Sequence, residues 1–556
     1  MMRKFYMVCL ILFSFCGANH LSAQSSYNTY FVQFRDKSNS TFTLSNPSSY
    51  LSAKAVERRI RTGVGFDSLD LPVNATYIQQ VLQQGNSNVL LKSKWFNSIT
   101  VELIDTAIAA TWKLQVEALP CVFQVKSLPS VPLEKISIHK GTQSEEGMVS
   151  DDFYGPSFRQ TEMLNGQMLH QLGLNGKGMD IAVFDGGFRY ANVLPATAHL
   201  FEEGRIIETH DFLNLTSPNV FDASTHGTMV LSHMAGIMQD SLYGTAVEAN
   251  YYLFQTEDVF REVRLEEDTW IQAAEWADSI GIDVINSSLG YSLFDEDYMN
   301  YSPSNMNGST TRISQGAEIC ALKGTLVVNS AGNSGDDPWH VITAPSDAEH
   351  VLCIGAVDLN GTHASFSGYH PTGLNDVKPN IVAMGRQTVY AASDSTIARG
   401  NGTSFSSPII AGMAATLWQA FPTASNMEIF NAIEESASLY STPNDSMGYG
   451  IPDFWKAFVN LSNQIYSQPN EHSVLVFPQP SDGQFEVRVE GNFPDTNNYH
   501  YLYDSSGRSV KYYKWNYNYS EPWAIYHLDL TTQPVGQYYF VIESSEGIRV
   551  VPLQKK

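Results

Sequence analysis

The sequence is poor in cysteine. Only 5 of its 556 residues are cysteines, and two of these, Cys9 and Cys16, lie in an N-terminal segment with the pattern of an export signal. The remaining Cys121, Cys320 and Cys353 have no metal-ligand spacing and make a poor disulfide framework. A pairing of Cys320 with Cys353 stays open, although the apolar run around Cys353 favours a small core residue.

Positive charge and long apolar runs are also scarce. The chain has 57 acidic and 33 basic residues, which gives a net charge of -24. Such a chain repels phosphate backbones and anionic lipid surfaces, which excludes nucleic acid and anionic membranes as partners. Beyond the N-terminal segment, no stretch is long and apolar enough to span a bilayer. These absences favour a secreted protein or one attached to the cell surface.

Residues 1–23 show the parts of a signal peptide. A basic start at Arg3 and Lys4 precedes an apolar stretch and the small-residue cleavage site Leu21-Ser22-Ala23. Cys16 raises the alternative of a lipid-modified cysteine, but the bulky phenylalanine before it disfavours that signal. We therefore expect export and removal of this segment.

Changes in pattern divide the rest of the chain, which is too long for one core. Residues 24–147 predict a small α+β domain that ends in a charged, serine-rich linker. Residues 148–462 alternate apolar strands with helices and predict a three-layer α/β fold with a mostly parallel sheet. Residues 470–556 carry short strands between turn signals and predict a small all-β sandwich.

The predicted elements are specific enough to be checked. The strands are expected at 30–34, 99–103, 181–184, 284–285, 326–328, 351–354, 474–478, 484–489, 499–503, 525–530, 538–542 and 548–553, and the helices at 53–61, 77–84, 269–280 and 313–322.

Ser404 is the first candidate for chemistry. It follows a glycine turn and precedes apolar residues at helical spacing, which places it just ahead of a buried helix. Because the N-terminus of a helix favours negative charge, this position suits a nucleophile whose substrate develops an oxyanion. The alternative is that Ser404 only caps the helix.

Two further side chains could assist such a nucleophile. His226 opens a second helix-like segment and is a candidate base, whereas His210 and His233 are expected to be structural, with His233 packed behind His226. Asp185 ends a buried strand, and a charge there needs a partner, which the histidine would supply. The alternative for Asp185 is a solvent-exposed residue that caps a turn.

Asn333 supplies a fourth candidate. It follows another apolar strand and could aim its amide at an oxyanion, although asparagine next to glycine is also a common turn residue. Asp185, His226 and Ser404 occur in the chain order of the subtilisin triad.

At these motifs the sequence resembles the subtilisin-like serine proteases over residues 154–459. The matching stretches are Ala182-Val183-Phe184-Asp185-Gly186-Gly187, in which Gly186 stands where threonine or serine is usual, His226-Gly227-Thr228, Ala331-Gly332-Asn333 and Gly402-Thr403-Ser404-Phe405-Ser406-Ser407-Pro408. The resemblance implies a secreted serine endopeptidase that needs no cofactor for its chemistry. It implies the triad Asp185, His226 and Ser404, the oxyanion residue Asn333, and the substrate-binding residues Ser288, Leu289, Gly290 and Gly332.

Two other functions stay open. A catalytically idle surface or binding protein would keep the subtilase scaffold without its activity. An esterase or acyl transferase would use the same triad, but the Gly-x-Ser-x-Gly turn of lipases is missing around Ser404.

The resemblance also covers the flanking domains. Residues 24–147 resemble a subtilase propeptide, which implies a chaperone and inhibitor of the enzyme; the alternative is a retained accessory domain. Residues 470–556 resemble the C-terminal sorting domain of type IX secretion, which implies the secretion machinery as a partner. The alternative there is a β module that binds carbohydrate or protein.

Specificity and metal binding are less determined. The acidic residues within 257–268 and 294–297 could favour basic substrate residues, or they could form a solvated acidic surface. A structural Ca²⁺ could be held by oxygen ligands, for which the candidates are Asp295, Asp297, Asn305 and Asn307.

Overall fold

A computed structural model of the chain describes residues 28–128, 154–214 and 219–466, and in the C-terminal part residues 474–478, 480–490, 500–505, 507–510, 515–520, 523–544 and 547–556. The expected signal peptide and the linker after the first domain lie outside the described residues. Within these ranges, no helix has both the length and the apolar character needed to cross a membrane.

The first domain is a four-stranded antiparallel sheet with helices packed on it. Its elements are β1 (Thr29–Phe34), α1 (Ala53–Thr62), α2 (Ala75–Leu82), β2 (Ser87–Ser93), β3 (Ser98–Leu103), α3 (Ala109–Glu117) and β4 (Val122–Leu128). The strand order is β2-β3-β1-β4, and Val32, Ile99 and Trp112 are fully buried in its core. The α+β prediction is confirmed; β2, α3 and β4 were not predicted, because mixed polar and apolar residues obscure their periodicity.

The middle of the chain forms an α/β domain. Its elements are α4 (Phe158–Glu162), α5 (Gln167–Gln171), β5 (Asp180–Asp185), α6 (Pro195–Glu202), β6 (Ile206–Asp211), α7 (His226–Ala235), β7 (Ile237–Met238), β8 (Leu242–Tyr243), β9 (Asn250–Gln255), α8 (Leu265–Ile280), β10 (Val284–Ser287), α9 (Arg312–Leu322), β11 (Leu326–Ser330), β12 (Leu352–Val357), β13 (Ile381–Met384), β14 (Arg386–Ala391), β15 (Ile397–Asn401), α10 (Thr403–Ala420), α11 (Asn426–Ser436) and α12 (Phe454–Tyr466).

Seven parallel strands make the central sheet, in the order β13-β12-β11-β10-β5-β9-β6. Successive side chains of a strand point to opposite faces, so β5 contributes to two cores. Ile181 and Val183 pack with the apolar face of α10, whereas Ala182 and Phe184 pack on the other side with Trp270 of α8. This is the predicted three-layer arrangement. Since the strands are parallel, their carboxyl ends meet at one edge, where active groups gather.

The C-terminal residues form two small facing sheets. The strands are β16 (Val474–Phe477), β17 (Gln484–Glu490), β18 (His500–Asp504), β19 (Trp515–Ser520), β20 (Trp523–Asp529), β21 (Gly536–Ser544) and β22 (Gly547–Lys555), in the orders β16-β17-β20-β19 and β18-β21-β22. The Trp455 ring of α12 lies 5.0 Å from that of Tyr503, and the Ser462 hydroxyl accepts a 3.0 Å hydrogen bond from the Val550 amide. The sandwich therefore packs directly on α12.

The first domain docks on α8 through buried charges. Asp278 accepts from Arg59 at 2.7 Å, from Arg58 at 2.9 Å and from Lys94 at 3.0 Å. Burial alone would raise the pKa of Asp278, but these three cations together hold it well below its usual range. One turn away, Glu275 accepts the backbone amides of Lys94 and Trp95 at 2.7 and 3.0 Å. These contacts join the two domains.

The described cysteines are three buried free thiols, Cys121, Cys320 and Cys353. The pairing of Cys320 with Cys353 that the sequence left open is therefore wrong. Cys320 lies on α9 in one core, and Cys353 lies in β12 in another. Cys353 is a small core residue, as its apolar neighbours indicate.

Candidate active site

Asp185 and His226 meet at the carboxyl edge of the sheet. The Nδ1 atom of His226 lies 2.9 Å from both carboxylate oxygens of Asp185. Asp185 is only 1% exposed, so the alternative of a solvent-exposed turn residue is wrong. Because an ionised carboxylate only accepts hydrogen bonds, this contact places a proton on Nδ1 of His226.

Two glycines allow this approach. The Gly227 amide donates to the Gly187 carbonyl at 3.1 Å, which draws the start of α7 onto the loop after β5. A Cβ on Gly227 would lie 2.5 Å from that carbonyl oxygen, so only glycine fits there. Gly187 also has a φ of +130°, which side chains strongly disfavour. The loop and the helix together fix the distance between Asp185 and His226.

Phe405 separates the two histidines of α7. Its ring stacks on His226 at 6.1 Å and on His233 at 5.1 Å between centroids. Burial lowers the pKa of His233 to about 4, and its Nδ1 atom donates to the Met229 carbonyl at 2.9 Å. His233 is thus a neutral structural residue behind the site. His210 stacks on Phe212 on the other side of the sheet.

Ser404 lies in the first turn of α10 rather than just ahead of it. The N-cap residue is Gly402, which has no side chain of its own to cap the helix. The N-cap interpretation of Ser404 is therefore wrong, and its side chain is directed elsewhere: Oγ donates to the Ser288 carbonyl at 3.3 Å. Ser404 itself is 9% exposed. A hydroxyl in the first helical turn retains the favourable field of the helix N-terminus.

Pro408 explains the second contact between Ser404 and Ser288. Proline has no N–H, so it cannot bond to the carbonyl four residues earlier in its helix, which is that of Ser404. The Ser288 hydroxyl donates to this carbonyl instead, at 2.9 Å. One turn further, the Ser407 hydroxyl donates to Asn286 in β10 at 2.9 Å. The start of α10 is thereby attached to the strand beside it.

The amide of Asn333 has a defined orientation. Its Oδ1 atom accepts from the Thr403 amide at 2.8 Å and from the Thr403 hydroxyl at 3.1 Å. A backbone N–H is always a donor, so the atom facing it must be the oxygen and Nδ2 points away from Thr403. The side chain is exposed, which leaves its N–H groups accessible in the cleft.

The remaining predicted residues line the same edge. Gly290 is exposed at the end of its segment, whereas the Leu289 side chain is buried in the core, so Leu289 can offer only its backbone. Gly290 and Gly332 face each other across Thr343: an added Cβ would lie 2.1 and 2.9 Å, respectively, from the Thr343 hydroxyl oxygen. That hydroxyl is buried and has no hydrogen-bond partner.

The acidic residues within 257–268 are not the solvated surface that the sequence left open, whereas Asp295 and Asp297 in the second stretch are exposed. Glu266 and Glu267 are each 1% exposed, and Glu257 and Glu262 are half-buried. Burial raises the pKa of Glu257 to about 7, and the Asp185 charge acts in the same direction, whereas Tyr291 and His226 oppose it. A Cβ built on Gly186 would lie 3.8 Å from the Glu257 Cβ, so Glu257 borders the residue that follows Asp185.

Two of the four calcium candidates, Asn305 and Asn307, do not present free ligand oxygens. The Oδ1 atom of Asn305 accepts the Ser302 amide and hydroxyl, and that of Asn307 accepts the Thr310 amide at 2.9 Å with two further donors from Ser309. Asp295 accepts the Glu262 amide at 3.1 Å, and Asp297 accepts from Asn300 at 3.4 Å. Because both asparagine oxygens already use their lone pairs within their own turns, this ligand set is not assembled.

Comparisons with known proteins agree with the sequence motifs. Residues 176–450 match the Subtilase family, and residues 29–144 match the Peptidase S8 propeptide domain of Bacteroidota. Subtilisin BL of Lederbergia lenta is 30% identical over 283 residues, which are 50% of this chain and 89% of that protein. The alkaline protease of Alkalihalobacillus alcalophilus is 30% identical over 283 residues, 50% of this chain and 63% of that protein.

Solved structures are more distant. Proteases from Pseudoalteromonas arctica PAMC 21717 share 22% identity, with a TM-score of 0.43 over 56% of this chain and 99% of that chain. MycP1 from Mycobacterium smegmatis shares 21% identity, with a TM-score of 0.44 over 59% of this chain and 90% of that chain.

The parallel sheet and the subtilisin relatives define a serine endopeptidase of the subtilisin type. The chain belongs to the subtilase family, and a propeptide domain of the S8 type precedes its catalytic domain.

Sequence reasoning missed several contacts around this site. Thr403 orients Asn333, and Ser288 bonds to the carbonyl that Pro408 leaves free. Pro408 was visible in the sequence. The hydroxyl that takes the place of its missing N–H belongs to Ser288, which is 116 residues away from Ser404 along the chain. Glu257 was identified as part of an acidic run, without a sign that it lies near Gly186.

Proposed function

We propose that this chain is a secreted endopeptidase in which Ser404 attacks the peptide carbonyl. His226 takes the Ser404 proton through Nε2 and returns it to the leaving amine. Asp185 holds the imidazole in the tautomer with the proton on Nδ1 and stabilises the imidazolium that forms. The observation that carries the proposal is the contact of His226 Nδ1 with both oxygens of buried Asp185 at 2.9 Å.

Two donors would stabilise the oxyanion. One is the Nδ2 amide of Asn333, whose orientation Thr403 fixes through Oδ1. The other is the backbone N–H of Ser404 in the first turn of α10. There the positive end of the helix dipole also favours a negative charge on the oxyanion. Preorganised donors of this kind act without reorganisation when the charge develops. This chemistry calls on no cofactor.

The substrate backbone would pair with the segment Ser288, Leu289 and Gly290, with Gly332 on the opposite side. Gly290 is exposed, and both glycines lie against Thr343, so the two segments approach each other closely around this side chain. Glycine at these positions leaves the backbone open to a peptide.

Labelling with a fluorophosphonate tests the nucleophile. The wild-type enzyme should be labelled and Ser404→Ala should not. Ser406→Ala is the matched control, because its hydroxyl turns back to the Thr403 carbonyl at 3.0 Å and takes no part in the chemistry. Label on Ser404→Ala, or equal loss in both variants, would remove Ser404 from this role. Cleavage of a peptide library then separates peptidase from esterase activity.

The flanking domains would serve export and control. The propeptide domain would chaperone and inhibit the enzyme through its buried contacts with α8, and the signal peptide at 1–23 would direct export. The sandwich at 470–556 would be the sorting domain read by a type IX secretion machinery. Fusing residues 1–23 and 467–556 to a reporter tests this: a reporter that stays inside a type IX host contradicts the role.

A further inference from the structure

Thr343 fills the space between the two segments that would hold a substrate. A Cβ on Gly290 would lie 2.1 Å from the Thr343 Oγ1 atom, 3.1 Å from its Cβ and 3.8 Å from its Cγ2. A Cβ on Gly332 would lie 2.9, 3.5 and 3.1 Å from the same three atoms. Among the described residues, apart from the chain neighbours of each glycine, no atom lies nearer to either position. The gap between the two glycines is therefore occupied by this one side chain.

Backbone hydrogen bonds hold Thr343 in this place from both sides. Its amide donates at 3.2 Å to the carbonyl of Ala331, which directly precedes the second glycine. The next residue, Ala344, exchanges two hydrogen bonds, of 2.8 and 3.2 Å, with Tyr291, which directly follows the first glycine. The backbone that carries the threonine side chain is thus fixed between the two segments.

The Thr343 hydroxyl is a buried polar group inside this gap. The residue is 5% exposed, and its Oγ1 atom is buried without a hydrogen-bond partner among the described residues. A buried hydroxyl that lacks a partner is costly, and valine would fill nearly the same volume without this cost. A ligand group that bonds to the hydroxyl would offset the cost. The hydroxyl is therefore a sign, independent of the packing, that a small polar group binds here.

The gap lies directly beside the proposed nucleophile. The Ser288 carbonyl, two residues before Gly290, accepts from Ser404 Oγ at 3.3 Å. Gly332 directly precedes Asn333, the proposed oxyanion donor. A peptide whose carbonyl lies between Ser404 and Asn333 carries the side chain of the same residue over this gap, because the carbonyl and the side chain share one Cα atom. This residue is the one on the N-terminal side of the scissile bond.

We propose that Thr343 makes this gap a shallow subsite for a small side chain, with serine as the best fit. The inference rests on the proposed peptidase function and names the substrate class: peptides with serine or alanine as the residue that supplies the attacked carbonyl. A branched or aromatic side chain would have to displace Thr343 or the backbone of one of the two glycines. A serine hydroxyl would be the partner that Oγ1 lacks.

Peptides that differ only at this residue test the inference on the enzyme matured from the full chain. Peptides with alanine, serine, leucine or phenylalanine at this position are compared by kcat/KM. The values for alanine and serine should exceed those for leucine and phenylalanine by about 10-fold or more, because a larger group overpacks the gap. Serine should exceed alanine by about 2-fold to 10-fold, as expected for one hydrogen bond between neutral groups.

Two substitutions separate the volume of the side chain from its hydroxyl. Thr343→Ala removes Oγ1 and Cγ2, so kcat/KM for leucine should rise at least to that for alanine. Thr343→Val keeps the volume, so leucine should stay a poor substrate, while the ratio of serine to alanine falls close to one. Thr161→Ala is the matched control, because Thr161 on α4 is also buried with a hydroxyl that has no partner among the described residues. It should leave both preferences unchanged.

Equal rates for alanine and leucine in the wild type overturn the size limit, and so does a size limit that Thr343→Ala leaves unchanged. A preference for serine that persists in Thr343→Val overturns the part assigned to the hydroxyl. Equal loss of the preferences in Thr161→Ala overturns the assignment to Thr343. In each of these cases fluorophosphonate labelling and peptide cleavage still uphold the peptidase function. An enzyme that neither labels nor cleaves rejects both proposals.

Discussion

The hydrogen bond from Ser288 to the Ser404 carbonyl allows a sharp test of how the nucleophile is held. Ser288→Ala removes the donor, at 2.9 Å, and Pro408 prevents the helix from replacing it. Ser288 and Ser404 are both buried. In the variant, the Ser404 carbonyl therefore loses its donor at a site that is shielded from water. Leaving a buried acceptor unsatisfied costs about 1–3 kcal/mol. We expect the free energy of unfolding to fall by that amount.

A second substitution should reverse the loss. Pro408→Ala supplies the N–H that a regular helix would offer to the Ser404 carbonyl. In the Ser288→Ala background it should therefore recover about 1 kcal/mol or more, whereas with Ser288 present the carbonyl already has a donor and the gain is smaller. The two substitutions are thus coupled, as neighbours with a shared partner are.

Differential scanning calorimetry on chains that also carry Ser404→Ala measures this coupling without self-digestion. The backbone carbonyl at position 404 is unchanged by that substitution. Ser407→Ala is the matched control: it loses a hydrogen bond of the same length, to Asn286, that does not involve the carbonyl. Pro408→Ala should not rescue it. Additive effects of Ser288→Ala and Pro408→Ala, or equal rescue of Ser407→Ala, would refute the role assigned to Ser288.

Further predictions concern the triad, the cleft and the domain contact. Asp185→Asn should lower kcat by about 10⁴-fold, because an amide no longer enforces the Nδ1–H tautomer, and peptide hydrolysis measures this; full activity would exclude Asp185. Gly290→Ala should abolish cleavage, since its Cβ meets the Thr343 hydroxyl at 2.1 Å; Thr343→Ala should restore activity and Thr343→Val should not. Asp278→Asn should weaken propeptide docking by about 3–5 kcal/mol, seen as faster removal of the first domain by an added protease. Because the folded pKa of Asp278 is lowered, its contribution is complete above its unfolded pKa near 3.9 and is lost as the pH falls below that value; the variant should lack this acid dependence.

The sequence was most informative where local pattern and chemistry coincide. Runs such as 181–184 and 351–354 are apolar on both faces, and the sheet buries both faces, so the strands were found. The edge strand β6 and its neighbour β9 were missed, because the half-exposed β6 alternates weakly and β9 begins with polar and aromatic residues. Tertiary pairing, rather than local preference, decides such strands.

The proposed site residues were found because each follows a strand or opens a helix, places where parallel folds gather chemistry. Their contacts were not predictable in the same way. The orientation of Asn333 depends on Thr403, 70 residues away, and that of His226 on a close approach between Gly187 and Gly227. A glycine in a sequence can indicate that another segment approaches closely, but it does not show which segment this is.

Gly186 shows where the motif and the structure complement each other. In the sequence it was a departure that left the chemistry of Asp185 untouched, and the acidic run from 257 was a separate feature with two interpretations. In the structure the two are adjacent, since a Cβ on Gly186 would lie 2.7 Å from the Val259 side chain and 3.8 Å from the Glu257 Cβ. A solvated surface would leave these carboxyl groups in water, whereas Glu266 and Glu267 are buried and Glu257 and Glu262 are half-buried. Replacing Gly186 with serine should therefore displace the Val259 side chain while Asp185 and His226 stay in place.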